Sequence, residues 1–98
     1  MLTRDFILHK LRASLPDLKL LGITKVALYG SFARGDQHAQ SDIDILVEVD
    51  YDHFRFSRYN EACDLMEQLF KGQKVSITTK AGLPAKIAAL ALHDVVYA

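Results

Sequence analysis

The chain has 98 residues, twelve Lys plus Arg balanced by twelve Asp plus Glu, half of its residues hydrophobic, one cysteine and no tryptophan. A chain of this length buries roughly 60–65% of the surface its unfolded form exposes, enough for one modest core, so residues 1–98 read as a single domain and not as a disordered chain. The even charge balance excludes a polybasic surface that grips nucleic acid or membrane without specificity, no apolar run approaches the roughly 20 residues of a membrane span, and Cys63 alone makes neither an internal disulfide nor a cysteine-only metal site.

Charges at Arg4 and Asp5 stand where a secretory signal carries its apolar stretch, which points to a cytoplasmic, reducing location. Leu2, Phe6, Leu8, Leu11 and Leu15 recur at near-helical spacing, with Thr3 placed to cap them and Pro16 to stop them, so a first helix is expected over 3–15. Lys25 to Tyr29 is short, apolar and closed by Gly30, the pattern of a buried strand. The stretch from Ser31 to Ser41 reads as a loop, with one helical turn allowed over Ser31 to Arg34 before Gly35 breaks it. From Asp42 to Val49, Asp42, Asp44, Leu46 and Glu48 take one face of a second strand and Ile43, Ile45, Val47 and Val49 the other.

Tyr59, Ala62, Cys63, Met66, Leu69 and Phe70 follow the three–four spacing of a long helix, with Ser57 or Asp52 to cap it and Gly72 to end it. Lys74 to Thr79 forms a third strand that sets Val75 and Ile77 against Ser76 and Thr78. Pro84 suits the first turn of a last helix whose apolar surface comes from Ile87 to Leu92. Val95-Val96-Tyr97 then returns to the sheet or docks elsewhere. No repeat, linker or low-complexity tract is present.

The common glycine-rich nucleotide signatures and the HExxH zinc signature are absent. What carries chemistry is Gly30-Ser31, ten intervening residues, then Asp42-Ile43-Asp44. Residues i and i+2 of a strand share a face roughly 7 Å apart, so the two carboxylates converge and repel unless a cation joins them. Such a pair suits two Mg²⁺ ions held against a nucleoside triphosphate. Gly30 lets backbone approach the phosphates, Ser31 adds a hydroxyl donor, and Arg34 reaches a phosphate oxygen with charge-assisted bonds.

Gly30-Ser31-Phe32-Ala33-Arg34-Gly35 followed by Ser41-Asp42-Ile43-Asp44-Ile45-Leu46-Val47 resembles the minimal nucleotidyltransferases of the DNA polymerase beta superfamily. The resemblance spans nearly the whole chain. It implies an α/β (α+β) fold, a small mixed sheet with helices packed on one side, and two Mg²⁺ ions with a nucleoside triphosphate, ATP, as ligands. The implied reaction moves a nucleoside monophosphate to a hydroxyl, catalysed by Asp42 and Asp44, with Ser41 joining Gly30, Ser31 and Arg34 at the nucleotide. Many relatives are antitoxins paired with an all-helical HEPN toxin, so such a partner is expected here, and a homo-oligomer is left open.

One departure stands out. Active members carry a third carboxylate on the third strand, where alternation places Ser76, a neutral group too weakly basic to accept the proton of an attacking hydroxyl. Glu48 lies two further positions along its strand and needs a bend to substitute. Two readings therefore stand: a transferase working with two carboxylates, and a binding module that neutralises a helical partner by complex formation. A third reading is a detached nucleotide-binding subunit of a larger transferase. Cys63 reads as a packing residue, His38 as a solvated loop histidine, and Phe54, Arg55, Phe56 and Arg58 as either a partner surface or an ordinary helix start.

Overall fold

Thr3 caps the first helix as expected, its Oγ1 accepting the Phe6 N–H at 3.2 Å. In this structure, a computed structural model that describes residues 2–98 and only the backbone at positions 87, 90 and 91, that helix, α1, spans Arg4–Leu20. It therefore runs through Pro16, where the sequence reading stopped it. Proline removes one helical N–H and crowds the carbonyl four residues back, but the turn beyond it seats Leu18, fully buried, in the core. Tertiary burial outweighs the local penalty. Gly22, at φ +90°, then ends the helix by donating its N–H to Lys19 O.

β1 follows at Ile23–Tyr29, α2 at Ser31–Arg34, β2 at Ile43–Val49, α3 at Phe56–Leu69, β3 at Val75–Thr79, α4 at Ala85–Ala91 and β4 at Val96–Tyr97. The sheet order is β3-β2-β1-β4, with β1 antiparallel to β2 and β4, and β2 parallel to β3. A parallel pair needs a crossover, and α3 supplies it. The C-terminal run thus returns to the sheet, the first of the two options its sequence allowed.

Ile43, Ile45 and Val47 of β2 and Val26 and Leu28 of β1 meet Ile7, Leu8 and Leu11 of α1 and Ala62 and Met66 of α3 in one buried cluster. The result is the expected small mixed sheet with α1 and α3 on one face. A register shift between Ile23 and Lys25 puts one extra residue into β1 and turns Ile23 to the core; without this bulge, alternation would aim Ile23 at the opposite face.

One smaller expectation fails. Neither Ser57 nor Asp52 caps α3: Arg55 holds the cap position without a side-chain bond. The capping carboxylate nearby is Asp50, which accepts the Asp52 N–H at 3.1 Å and starts a separate 3₁₀ turn over Tyr51–His53. Cys63 is half-buried, and burial pushes its thiol pKa up. The apolar surface expected from Ile87 to Leu92 rests partly on the side chains of Ile87, Leu90 and Ala91, which lie outside the described residues. Among the described residues no helix is long and apolar enough to cross a membrane.

Candidate active site

The antiparallel pairing of β1 and β2 puts Tyr29 beside Asp44 and brings the chain after β1 against the Asp44 carboxylate. Gly30 comes next, at φ +76° and ψ −154°, a region that only glycine occupies comfortably. A Cβ on Gly30 would also collide with the Asp44 carboxylate, whose Cγ lies 3.2 Å from that position. Glycine is thus required here by both conformation and space. Ser31 opens the single turn of α2, which Phe32 and Ala33 anchor by being buried. Gly35, at φ +80°, closes it by donating to Ser31 O at 2.9 Å. Ser31 and Arg34 consequently project from a turn pinned to the core.

Asp42 stands just before β2, where its carboxylate lies 3.8 Å from Lys74 Nζ. Asp44 is half-buried, and its pKa is raised, first by burial, then by repulsion from Asp42, with Arg34 pulling in the other direction. A carboxylate left partly uncompensated in this way has unspent affinity for a cation. Arg34 is itself engaged: its Nε donates to Asp36 Oδ2 at 3.2 Å, and Nη1 lies 3.8 Å from Asp94 Oδ2. Both contacts are largely solvent-exposed, so they hold the guanidinium weakly.

On β3, Ser76 is the register partner of Asp44 and Thr78 that of Leu46. Glu48 is occupied elsewhere on the sheet, accepting from Tyr97 Oη at 3.0 Å, with Lys25 as its register partner. Ser41 closes a turn in the loop before β2: its Oγ accepts the His38 N–H at 2.9 Å, and its N–H donates to His38 O at 3.0 Å. His38 is exposed, and its Nδ1 accepts the Gln40 N–H. Among the described residues no group of three or more His, Cys, Asp and Glu side chains is placed to hold a metal ion.

The structure seats Gly30, which the sequence reading placed beside the carboxylates, against Asp44, and it adds three neighbours that reading did not name as such. Lys74 sits next to its strand and was within reach of an alternation argument. Asp94 carries no local signal, because it meets Arg34 only through the pairing of β4 with β1, and Tyr29 comes beside Asp44 only through the pairing of β1 with β2.

The nucleotidyltransferase domain family matches residues 8–91. MntA of Thermococcus cleftensis, a protein adenylyltransferase, is 32% identical over 98 residues, covering 99% of this chain and 97% of that protein. Relatives in Methanocaldococcus jannaschii align over shorter stretches, one of them 42% identical over 62 residues that span 62% of this chain and 61% of its own length. A solved structure provisionally named a minimal nucleotidyltransferase shares the fold with a TM-score of 0.79, at 23% identity, over 97% of this chain and 95% of that one. A chain from a toxin–antitoxin crystal structure with AMP-PNP shares it with a TM-score of 0.63, at 21% identity, over 98% of this chain and 72% of that one. This chain belongs to the nucleotidyltransferase domain family.

Proposed function

We propose that the chain binds a Mg²⁺-complexed nucleoside triphosphate, ATP, and transfers a nucleoside monophosphate to a hydroxyl of a partner protein, serving in the cytoplasm as antitoxin to a helical HEPN-type toxin. The observation that carries this reading is the seating of Gly30 against Asp44, which packs the turn after β1 onto that carboxylate. The name of the Thermococcus cleftensis relative supports a protein acceptor. The toxin–antitoxin neighbour supports a nucleotide ligand and a protein partner.

The residues present fit a divalent cation. The Gly30 cradle admits the Asp44 carboxylate only because no Cβ fills it, and the raised pKa of Asp44 marks negative charge that a cation relieves. Asp42 and Asp44 would hold Mg²⁺, with triphosphate oxygens completing the shell, and the metal would neutralise charge on the reacting phosphates. Gly30 and Ser31 bring backbone N–H groups and a hydroxyl to the phosphates. Arg34 exchanges its exposed contacts with Asp36 and Asp94 for a phosphate oxygen, where its charge stabilises departing pyrophosphate. Ser41 shapes the loop that delivers Asp42.

Ser76 favours a second reading. As the register partner of Asp44 it stands where the third carboxylate is expected, and a serine accepts no proton near neutral pH. On that reading the chain binds nucleotide and covers its partner without transfer.

Calorimetric titration of ATP with and without Mg²⁺, with Asp42→Asn/Asp44→Asn as control, tests the site. Mg²⁺-dependent binding that the double variant abolishes is expected; binding indifferent to both metal and carboxylates would refute the proposal. Transfer of label from α-phosphate-labelled ATP, compared between the natural chain and Ser76→Asp, separates the readings. Transfer gained only in the variant favours the binding module.

A further inference from the structure

β1 delivers to the site a tyrosine that the proposed reaction leaves unused. Tyr29 immediately precedes Gly30 and is the register partner of Asp44, so its side chain shares the sheet face of that carboxylate. Its phenol oxygen lies 3.5 Å from Thr78 Oγ1 on β3, and β2 lies between β1 and β3. The ring therefore reaches over β2 to meet the Thr78 side chain, the two strands that carry them lying two strand spacings, about 9.6 Å, apart. Tyr29 is level with Asp44, and Thr78 is level with Leu46, so the crossing runs between those two side chains. Leu46, on the same face, is only 1% exposed, in keeping with a ring laid beside it.

The phenol oxygen thus points to the β3 side of Asp44, against Thr78, the residue one same-face step, about 6.6 Å, along β3 from Ser76. Its contact with Thr78 is at the long limit for a hydrogen bond and holds it loosely. The other tyrosines are occupied or remote. Tyr97 Oη donates to Glu48, Tyr51 stacks with Phe54 beyond the opposite end of β2, and Tyr59 lies on α3 against that same phenylalanine. Burial pushes the Tyr59 phenol up to about 12. Cys63 belongs to α3, on the core side of the sheet.

We propose that Tyr29 is a self-modification site, its hydroxyl accepting the nucleoside monophosphate from a triphosphate seated on Gly30, Ser31, Asp42 and Asp44. This rests on the nucleotide-transfer reading above. The phenol oxygen attacks the α-phosphorus and forms a new P–O bond. The bond from that phosphorus to the bridging oxygen breaks, pyrophosphate leaves, and the phenol proton passes to water. A phenol makes this attack without a base more readily than an aliphatic hydroxyl does, which suits a site where Ser76 replaces a carboxylate. The tethered nucleotide then fills the site, so modification stops at one per chain.

The test incubates the purified chain with Mg²⁺ and ATP and follows intact mass and peptide mapping. One adenosine monophosphate per chain is expected, on the peptide carrying Tyr29, at a rate independent of protein concentration, and absent from Tyr29→Phe. A second readout needs neither metal nor turnover: 5′-fluorosulfonylbenzoyl adenosine, which loses fluoride to a nearby phenol, is expected to label Tyr29 ahead of Tyr51, Tyr59 and Tyr97. Adenylylation on another residue, indiscriminate tyrosine labelling, or no adduct while calorimetry records Mg²⁺-dependent ATP binding overturns the inference and leaves the nucleotide site standing. Loss of ATP binding as well overturns both.

Discussion

Gly30→Ala tests the geometry on which the site depends. The residue occupies φ +76° and ψ −154°, where a side chain costs on the order of 1–3 kcal/mol. The new methyl would in addition collide with the Asp44 carboxylate. For a domain of this size each kcal/mol lowers Tm by roughly 4–8 °C, so a fall on the order of 10 °C is expected. Two comparisons separate the causes. Gly22 also has positive φ, +90°, but a Cβ there meets nothing within 4 Å, so Gly22→Ala reports backbone strain alone, about 1–2 kcal/mol. In an Asp44→Ala background the nearest remaining Asp44 atom would be its Cβ at 3.4 Å, an ordinary contact, so Gly30→Ala should cost less there. Urea denaturation of the natural chain, both single variants and the double variant yields the coupling energy, expected at about 1 kcal/mol. Strict additivity, with Gly30→Ala no costlier than Gly22→Ala, would refute the argument that Gly30 is shaped around Asp44.

Pro16→Ala restores a helical N–H within α1. The roughly 3 kcal/mol penalty of an interior proline, offset by about 1 kcal/mol from a looser unfolded chain, leaves an expected gain of about 1–2 kcal/mol in urea denaturation. A loss instead would mean that the proline shapes the turn seating Leu18. Asp44→Asn addresses the strained carboxylate. Because the folded pKa of Asp44 is raised, the folded state takes up this proton before the unfolded chain does. Its ionised form therefore destabilises the metal-free protein at neutral pH, and that penalty fades as pH falls through the folded pKa toward the unfolded value of 3.8. Thermal melts in EDTA should show the Asp44→Asn variant more stable than the natural chain at pH 7, with the advantage shrinking near pH 4; an advantage that grows with acid would contradict the burial argument.

The Arg34 contacts suggest how the loop and the C-terminal strand cooperate. Asp36 belongs to the same loop as Arg34, whereas Asp94 arrives with β4, so the guanidinium bridges two parts of the chain that only the sheet brings together. Both ion pairs are exposed and contribute little to stability. Their effect is to keep the arginine near the carboxylate pair, where it lowers the pKa of Asp44.

The alternation over residues 42–49 by itself determined which residues of β2 face the core and which face the site, because strand geometry puts i and i+2 on one side. The Gly30-Ser31 turn and its distance from Asp42-Ile43-Asp44 were legible for the same reason: a strand, a tight turn and a returning strand are short-range features. Only the tertiary structure decided that Pro16 stays within a helix, since the burial of Leu18 exists only once the core is assembled. The bulge that turns Ile23 inward likewise depends on β2 as a partner. The contact between Tyr29 and Thr78, 49 positions apart, and that between Arg34 and Asp94 follow from strand order, which periodicity within one segment does not encode. Local chemistry sets what each segment is, whereas the packing free energy of the whole chain sets which segments meet.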